Sequence, residues 1–303
     1  MSSNLICLVG PTASGKSGLA IELAQQLSQG GTKVEIINAD AMQLYRGMNI
    51  GTAKLPEEDR GEIPHHLFDV LDPGQEMTAV EYQEMARDVV AQVLDRGSVP
   101  LLVGGSMFYI AAAIDQLDFA PTDTEIRSAL EREAEQAGSL NLHQRLSKLD
   151  PITAAKIPAQ NVRRVIRALE VISITGEPYS SSLPEPSYWR PTLQLGIAVE
   201  REVLKERIRL RVDQMWEQGI LLETQTLMSQ GEFSRTAKMA IGYKQAIEQL
   251  AGRVSEAEAK FETVALTNRY ARRQMSWFRR DRRITWLDGS QELLSQAVQQ
   301  IRL

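Results

Sequence analysis

A glycine-rich turn near the N-terminus carries the residue pattern of a phosphate-binding loop. The segment Gly10-Pro11-Thr12-Ala13-Ser14-Gly15-Lys16-Ser17 fits G-x-x-x-x-G-K-S/T, with an apolar run before it and helical spacing after it. In such a loop the glycines let backbone N–H groups turn toward a phosphate, and the N-terminal end of the next helix adds positive potential. Lys16 supplies a full charge, and Ser17 supplies a hydroxyl that suits Mg²⁺. We therefore predict that this whole loop binds an oligophosphate.

The loop alone leaves two chemistries open. In a kinase, the bound nucleotide gives up its terminal phosphoryl group. In an alkyl transfer, the loop instead holds a diphosphate that departs as the leaving group, and a positive charge such as that of Lys16 stabilises it.

An acidic residue, Asp40, follows the second apolar run of the chain, Val34–Ile37. Ligands of parallel sheets bind where the carboxyl ends of the strands meet, so we expect Asp40 to lie close to the loop. Three roles remain open for it: a Mg²⁺ ligand through water, a general base, or the cap of the next turn. A free aspartate titrates near about 3.9, so Asp40 is expected to be ionised at neutral pH.

The elements that position these residues alternate between strands and helices. Apolar runs predict the strands Leu5–Val9, Val34–Ile37, Val99–Val103, Leu193–Val199 and Ile284–Leu287. Helical spacing covers Lys16–Ser28, Ala79–Leu94, Arg201–Gln218, Tyr243–Leu250 and Ser255 to about Arg280. This alternation predicts an α/β fold: a P-loop NTPase-like parallel sheet flanked by helices.

A stretch without strands interrupts this alternation from about Asp115. The segments Ile126–Ala137, Leu140–Leu149 and Val162–Ile174 have helical spacing, and a proline-rich loop follows them as far as Pro191. We predict an inserted all-helical subdomain at residues 115–191, within a catalytic core made of residues 1–114 and 192–303.

The end of the last long helix is rich in arginine. Arg269–Arg283 holds seven arginines against one acid, Asp281, in a chain of net charge −5. At about 100° per residue one helix face carries an apolar set and another a basic set. The apolar set is Phe261, Val264, Ala271, Met275 and Phe278; the basic set is Arg269, Arg272, Arg273, Arg279 and Arg280. The basic set predicts a stripe for nucleic-acid phosphates, with an ordinary solvated face as the alternative.

Composition limits the other possibilities. With 303 residues, 43% of them hydrophobic, the chain is long enough to bury a large core. No run of about eighteen apolar residues predicts a membrane span. The single cysteine, Cys7, fits a reducing, cytoplasmic setting. Separately, we expect the protein to be a monomer. One cysteine and three histidines cannot build a zinc cluster, so His65 and His66 are interpreted as hydrogen-bonded structural residues.

The segment Asp40–Lys54 resembles the D-S-x-x-x-Y-R-G-M-D-I-G-T-A-K signature of tRNA dimethylallyltransferases. Further blocks are similar to that family in the same order along the chain. They are Ile63–Leu67, Asp69–Pro73, Gly104–Tyr109, Asn161–Glu170, Ala240–Gln245 and Ala271–Arg279. The sequence departs from the family pattern at several positions, among them Ala41 in place of Ser and Met239 in place of an Arg.

This resemblance implies a reaction and a set of residues. A dimethylallyl group passes from dimethylallyl diphosphate to the exocyclic amine of the adenosine just 3′ of the anticodon in tRNA, with Mg²⁺ as cofactor. Asp40 takes the proton of the amine, while Thr12, Lys16 and Arg211 act on the leaving diphosphate. The alternatives are that Thr12 only provides a hydroxyl to the turn and that Arg211 is a solvated charge on a helix face.

The resemblance also implies tRNA contacts, and the helical insertion would grip the anticodon stem-loop. The contact residues it implies are Asp40, Ala41, Met42, Gln43, Ser106, Arg127, Arg163, Arg164, Val165, Ile166, Arg167, Met239, Ala240, Ile241, Gly242, Tyr243 and Lys244. The basic stripe adds Arg272 and Arg279 to them.

Three rival functions remain at this point. A small-molecule kinase would not need the basic stripe, and the strand that leads to Gly104 and Gly105 ends without an acid. A prenyltransferase for free adenine nucleotides would share the core motifs but not need the helical insertion. An RNA-binding module with a vestigial nucleotide site would not need an intact loop together with Asp40.

Overall fold

The computed structural model describes residues 5–117, 119–179 and 186–301. The chain divides into two compact units, one formed by Met1–Asp115 with Tyr188–Leu303 and the other by Gln116–Ser187. The first is called the sheet unit below and the second the helical unit. The sequence placed the insertion at residues 115–191; residues 180–185 of its proline-rich end lie outside the described residues.

The sheet unit is built on six parallel strands in the order β3-β2-β4-β1-β5-β6. The strands are β1 (Leu5–Val9), β2 (Val34–Asn38), β3 (His65–His66), β4 (Val99–Gly104), β5 (Thr192–Ala198) and β6 (Ile284–Asp288). The predicted parallel α/β fold is thereby confirmed. The two-residue strand β3 was not predicted, because two histidines carry no apolar run.

The central strands are buried on both faces, which explains why they appear in the sequence as continuous apolar runs. On β1, Leu5, Cys7 and Val9 enter one hydrophobic core, while Ile6 and Leu8 enter the core on the opposite face. This alternation follows from the two-residue period of a strand.

Helices cover both faces of the sheet and make up the helical unit. In chain order they are α1 (Lys16–Gln29), α2 (Ala79–Asp95), α3 (Met107–Ile114), α4 (Thr124–Ala137), α5 (Ser139–Leu149), α6 (Pro151–Lys156), α7 (Val162–Thr175), α8 (Arg201–Glu217), α9 (Ile220–Gln230), α10 (Arg235–Lys238), α11 (Tyr243–Leu250), α12 (Glu256–Phe278) and α13 (Leu293–Gln300). Among the described residues, no helix combines the length and the apolar composition that a membrane crossing needs.

The long helix α12 starts with a capping box, in which the Ser255 side chain accepts from the Glu258 N–H and the Glu258 side chain accepts from the Ser255 N–H. Its buried face is Ala259, Thr263, Ala271, Gln274 and Phe278. The predicted core position of Phe261 is wrong, since its exposure is 77%. A two-residue step of about 200° turns Phe261 away from Ala259 and Thr263.

In the helical unit, α4, α5, α6 and α7 enclose a small apolar core of their own. Leu130, Leu142, Leu146, Val165 and Leu169 are buried in it. Aspartates cap two of the helices: Asp123 accepts from N–H groups at the start of α4, and Asp150 does the same at α6.

Candidate active site

The carboxyl ends of β1, β2 and β4 converge on one cavity of about 190 Å³. The loop 12–18 follows β1, Asp40 follows β2, and Gly104 ends β4, and all of them line this cavity. The other lining residues are Ala20, Ile36, Asn38, Gln43, Thr52, Ala53, Leu55, His65, Phe68, Val103, Arg211 and Gln274. The structure thus brings together Asp40, Thr12, Lys16 and Arg211, although they are far apart in sequence.

The glycine-rich loop has the backbone conformation that a phosphate cradle requires. Ala13 and Gly15 have φ of 62° and 93°, so the chain coils through the left-handed region before α1 starts at Lys16. Gly10 cannot carry a side chain freely, because its φ is 157° and a Cβ would lie 3.1 Å from the Ser14 Oγ. Ser14 is buried, and its Oγ has no hydrogen-bond partner within the described part of the chain. A buried hydroxyl left without a partner is costly unless a ligand completes it.

Lys16 points back over the loop. Its Nζ donates to the Pro11 carbonyl oxygen over 2.7 Å. Burial lowers the pKa of Lys16 to about 8, although the nearby charge of Asp40 opposes this shift and that of Arg211 adds to it. A bound diphosphate would favour the charged amine, so the loop gains its full positive charge when an anion enters.

Asp40 faces the same cavity and also caps the turn that follows it. Its Oδ1 accepts from the Met42 N–H over 3.0 Å, and its own N–H donates to the Asn38 Oδ1 over 2.9 Å. Asn38 is fixed in turn by donating from Nδ2 to the Leu67 carbonyl over 2.9 Å. The Asp40 Oδ2 accepts no hydrogen bond from the described residues, so this oxygen remains available to a ligand. Asp40 therefore acts as a cap through Oδ1, and this contact does not occupy the Oδ2 that a catalytic role would use.

Arg211, on α8, reaches across to the loop. Its Nη1 donates to the Thr12 Oγ1 over 2.9 Å, a contact between residues 199 positions apart. Burial lowers the pKa of Arg211 from its ordinary value, and the charge of Asp40 opposes this shift. Because the Thr12 Oγ1 accepts from Arg211, the hydroxyl hydrogen is free to be donated elsewhere. Arg211 is not the solvated helix-face charge that the sequence left open.

Gln274, on α12, is a site residue that the sequence analysis missed. Its Oε1 accepts from the Thr12 N–H over 2.9 Å, and its Nε2 donates to the Gly105 carbonyl over 2.8 Å. Gly104 and Gly105 leave the room that this arrangement needs. A Cβ on Gly104 would lie 2.1 Å from the Ala39 carbonyl oxygen, and one on Gly105 2.3 Å from the Gln274 Nε2. The block from Ala271 to Arg279 contained the signal, but nothing in it separates Gln274 from its neighbours.

Residues near Asp40 that were predicted to touch tRNA lie at the cavity or beside it. The Ser106 Oγ accepts from the Ala41 N–H over 2.8 Å. The Gln43 Nε2 donates to the Thr52 carbonyl over 3.1 Å. Ala41, Met42, Gln43 and Ser106 are all partly exposed. Tyr270 lies in the same neighbourhood, where burial and the charge of Asp40 raise its pKa to about 12.

The segment from Met239 to Lys244 divides into exposed and buried residues. Met239 is 57% exposed, while Ala240, Gly242 and Tyr243 are buried, and Ile241 and Lys244 are partly exposed. The Tyr243 hydroxyl donates to the Glu223 Oε1 over 2.6 Å and accepts from the Gly51 N–H over 3.2 Å. A Cβ on Gly51 would lie 2.3 Å from the Tyr243 ring. Tyr243 thus holds the loop that supplies Thr52 and Ala53 to the cavity.

The arginines at the end of α12 fall into two groups. Arg269, Arg272, Arg273, Arg279 and Arg280 are exposed, and none of them forms an ion pair with another described residue. Arg283 is different, because it pairs with Asp115 and Asp281 and stacks on Tyr188. The exposed group therefore retains its charge for a partner, whereas Arg283 holds the fold together.

In the helical unit, two of the predicted tRNA-contacting arginines clamp a buried acid. Arg127 and Arg167 donate to the Glu170 carboxylate over 3.0 Å and 2.8 Å. Glu170 is 0% exposed; burial opposes its ionisation, but these pairs hold its pKa below the ordinary value. Val165 and Ile166 are buried in the core of this unit, and Arg163 and Arg164 are exposed.

The two adjacent histidines make different contacts. The His66 Nε2 lies 2.7 Å from the Glu35 Oε2, and the His65 Nδ1 lies 2.7 Å from the Ile63 carbonyl. His65 also lines the cavity, and burial lowers its pKa below the ordinary value.

A parallel sheet with a phosphate loop, an available carboxylate and two partly buried cations at one edge defines a P-loop-type enzyme that handles an oligophosphate. The IPP transferase family model matches residues 43–281 of this chain. The chain is 51% identical to a tRNA dimethylallyltransferase of Thermobifida fusca over 286 residues, which cover 94% of this chain and 90% of that protein. It is 50% identical to a tRNA dimethylallyltransferase of Streptomyces coelicolor, over 94% of this chain and 90% of the relative.

Solved structures agree with these relatives. A tRNA isopentenylpyrophosphate transferase from Bacillus halodurans superimposes with a TM-score of 0.70 at 38% identity, covering 97% of this chain and 93% of that one. A eukaryotic dimethylallyltransferase acting on tRNA gives a TM-score of 0.80 at 28% identity, over 97% of this chain and 77% of that one. The chain belongs to the tRNA dimethylallyltransferase family, whose members are tRNA prenyltransferases, and the resemblance found in the sequence is confirmed.

Proposed function

We propose that the chain transfers a dimethylallyl group from dimethylallyl diphosphate to the exocyclic amine of the adenosine just 3′ of the anticodon in tRNA. The observation that carries this proposal is that the phosphate loop, Asp40 and the Thr12–Arg211 pair line a single cavity. A carboxylate beside an anion cradle suits a nucleophile that must lose a proton while a diphosphate departs.

The amine nitrogen attacks the first carbon of the prenyl group, and the bond from that carbon to the diphosphate oxygen breaks. The electron pair of that bond leaves with the diphosphate. The Asp40 Oδ2, which is free of other bonds, accepts the proton that the amine loses. Lys16, Arg211 and the N–H groups at the start of α1 are in place to stabilise the charge on the leaving group without moving.

Mg²⁺ fits the donor set at this edge. Ser17 is exposed at the cavity. Its hydroxyl oxygen, together with diphosphate oxygens, belongs to the hard ligands that Mg²⁺ prefers. Ser17 would hold the ion, and the ion would neutralise part of the diphosphate charge.

The tRNA would meet the sheet unit around Asp40. Ala41, Met42, Gln43 and Ser106 surround the carboxylate, and Met239, Ile241 and Lys244 offer exposed or partly exposed side chains. We propose that Tyr243, Ala240 and Gly242 act through the loop they support, since they are buried. The exposed arginines Arg272 and Arg279 would contact phosphates.

We propose that the helical unit, corresponding to the predicted insertion 115–191, grips the anticodon stem-loop. Arg163 and Arg164 are its exposed cations among the predicted contacts, while Arg127 and Arg167 have part of their charge neutralised by Glu170. The buried Val165 and Ile166 would support this surface from below. A cytoplasmic location and a monomeric state remain predictions.

One assay tests the proposal. The protein is incubated with labelled dimethylallyl diphosphate, Mg²⁺ and either tRNA, AMP or ATP. We expect label on tRNA alone. Label on AMP would show an enzyme for free adenine nucleotides, and phosphoryl transfer from ATP without tRNA would show a kinase.

A further inference from the structure

The side chain of Gln274 ties two strand ends together at the cavity. Its amide oxygen accepts from the Thr12 N–H, next to β1, and its amide nitrogen donates to the Gly105 carbonyl, next to β4. The side chain is 1% exposed, so water does not replace either bond. A flipped amide would place N–H against N–H and oxygen against oxygen, and the two partners therefore allow one orientation only.

This arrangement removes one backbone donor from the phosphate cradle. The N–H of Thr12 is directed at Gln274, whereas the N–H groups at the start of α1 remain for a phosphate. Thr12 is therefore held at both ends: Gln274 fixes its backbone and Arg211 donates to its Oγ1. With the oxygen accepting from Arg211, the hydroxyl hydrogen is left for donation to another group, and Thr12 lines the cavity.

We propose that Gln274 is a positioning residue, which sets the Thr12 hydroxyl for donation to the departing diphosphate oxygen. It does not touch the diphosphate itself and acts through Thr12. The bond to Gly105 fixes the amide, and the lack of a Cβ on Gly105 gives the amide its place. This inference rests on the proposed role of the loop as the diphosphate site.

The test replaces Gln274 with methionine, which keeps the length of the side chain and removes both hydrogen bonds. We expect Gln274→Met to lower kcat by about 10- to 100-fold. The misplaced Thr12 hydroxyl would form a weaker hydrogen bond to the departing diphosphate oxygen, and this bond matters in the transition state. The KM for tRNA and the affinity for dimethylallyl diphosphate without tRNA should change by less than about threefold, since the amides at the α1 terminus and Lys16 remain.

The matched control is Gln194→Met. Gln194 is also a buried glutamine with two side-chain hydrogen bonds, to the Tyr188 hydroxyl and to Asp281, but it lies in the middle of β5 and does not line the cavity. We expect it to lower the thermal midpoint while leaving the kcat of the folded fraction unchanged. If Gln274→Met lowers kcat no more than this control, or changes only the KM for tRNA, the positioning role is wrong.

A second variant separates positioning from packing. In Gln274→Glu, a protonated carboxyl group still donates to the Gly105 carbonyl, while the ionised group repels it. Burial next to a carbonyl raises the pKa of such a carboxyl group, so activity relative to the wild type should rise as the pH falls. A constant ratio across pH would contradict the proposal.

A separate experiment tests whether the loop is the diphosphate site. Calorimetry of dimethylallyl diphosphate binding to the wild type and to Lys16→Ala reports on that site without turnover. An equal affinity in the two proteins would reject the proposed diphosphate site, whatever the Gln274 variants do.

Discussion

The cavity at the sheet edge and the α4–α7 pair of the helical unit both hold an arginine against a polar side chain, but the polar groups around the two arginines differ. In the helical unit the Glu170 carboxylate takes Arg127, Arg167 and the Asp123 N–H, so it is fully paired. At the sheet edge the buried Ser14 Oγ has no partner in the described residues. Asp40 is partly exposed there and accepts from the Met42 N–H through Oδ1. Among the described residues, the Lys16 Nζ donates to the Pro11 carbonyl oxygen.

This difference separates a structural cluster from a reactive one. A buried polar group without a partner costs about 1–3 kcal/mol, and a ligand that supplies the missing hydrogen bond removes this cost. A buried charge whose partners are all present contributes to architecture instead. The partner of an arginine, more than the arginine itself, therefore indicates what it does.

The largest effect is expected from Asp40→Asn at the cavity. Asparagine also caps a helical turn, so residues 41–44 should keep their conformation, but it does not accept the proton. We expect kcat to fall by about 100- to 10,000-fold with the tRNA dissociation constant changed by less than about twofold. Asp40→Ala, which also removes the cap, is the companion variant. Full turnover by Asp40→Asn would remove the carboxylate from the chemistry.

The opposite expectation holds for Glu170→Gln in the helical unit. It should lower the free energy of unfolding by about 2 kcal/mol, less than for a fully buried pair because the Arg127 side chain is 40% exposed. Dimethylallyl diphosphate binding, measured by calorimetry, should not change. A loss of diphosphate binding together with unchanged stability would reverse the assignment.

We expect Glu170 to make the stability of the protein depend on pH. The pKa of Glu170 in the folded protein lies below the ordinary value of 4.5. Its contribution to the free energy of unfolding is therefore present above pH 4.5 and is lost as the pH falls through the pKa of the folded state. Chemical denaturation at several acid pH values should show this loss in the wild type and a weaker one in Glu170→Gln.

Lys16 should make diphosphate binding at the cavity depend on pH. Because its pKa lies at about 8, the amine loses its charge as the pH rises through that value. The affinity for dimethylallyl diphosphate without tRNA should then fall by up to about tenfold per pH unit, and binding should take up protons. Lys16→Arg keeps its charge and should show a flat profile over the same range. A flat wild-type profile would mean that Lys16 does not bind the diphosphate.

The smallest effect is expected from the exposed arginines of α12. Arg272→Ala and Arg279→Ala should each weaken tRNA binding and reduce the slope of its salt dependence by roughly one unit per lost phosphate contact. Arg209→Ala is the matched control, because Arg209 is exposed but pairs with Glu206 and Asp213. Equal slopes for all three variants would make the arginine stripe an ordinary solvated face.

Much of the fold was predictable because its signals are local. The strands β1, β2 and β4 are apolar runs with sharp ends, and α1 and α2 carry clear helical spacing. The helices α3, α6, α9, α10 and α13 were missed, since their patterns are short or mixed with polar residues. Phe261 was assigned to the buried face of α12, although it is exposed. The periodicity of a helix shows which residues share a face, but it does not show which face the neighbouring elements cover.

Residue types at short, fixed spacings were enough to predict the phosphate loop, the acid at the end of β2 and the family. The sequence named Arg211 and Tyr243 by resemblance and missed Gln274, and the contacts that these distant side chains make appear only in the folded chain. Arg211 and Gln274 meet Thr12 from 199 and 262 positions away, and Tyr243 meets Gly51 from 192. Such contacts depend on how helices pack against the sheet, and no local pattern records that packing.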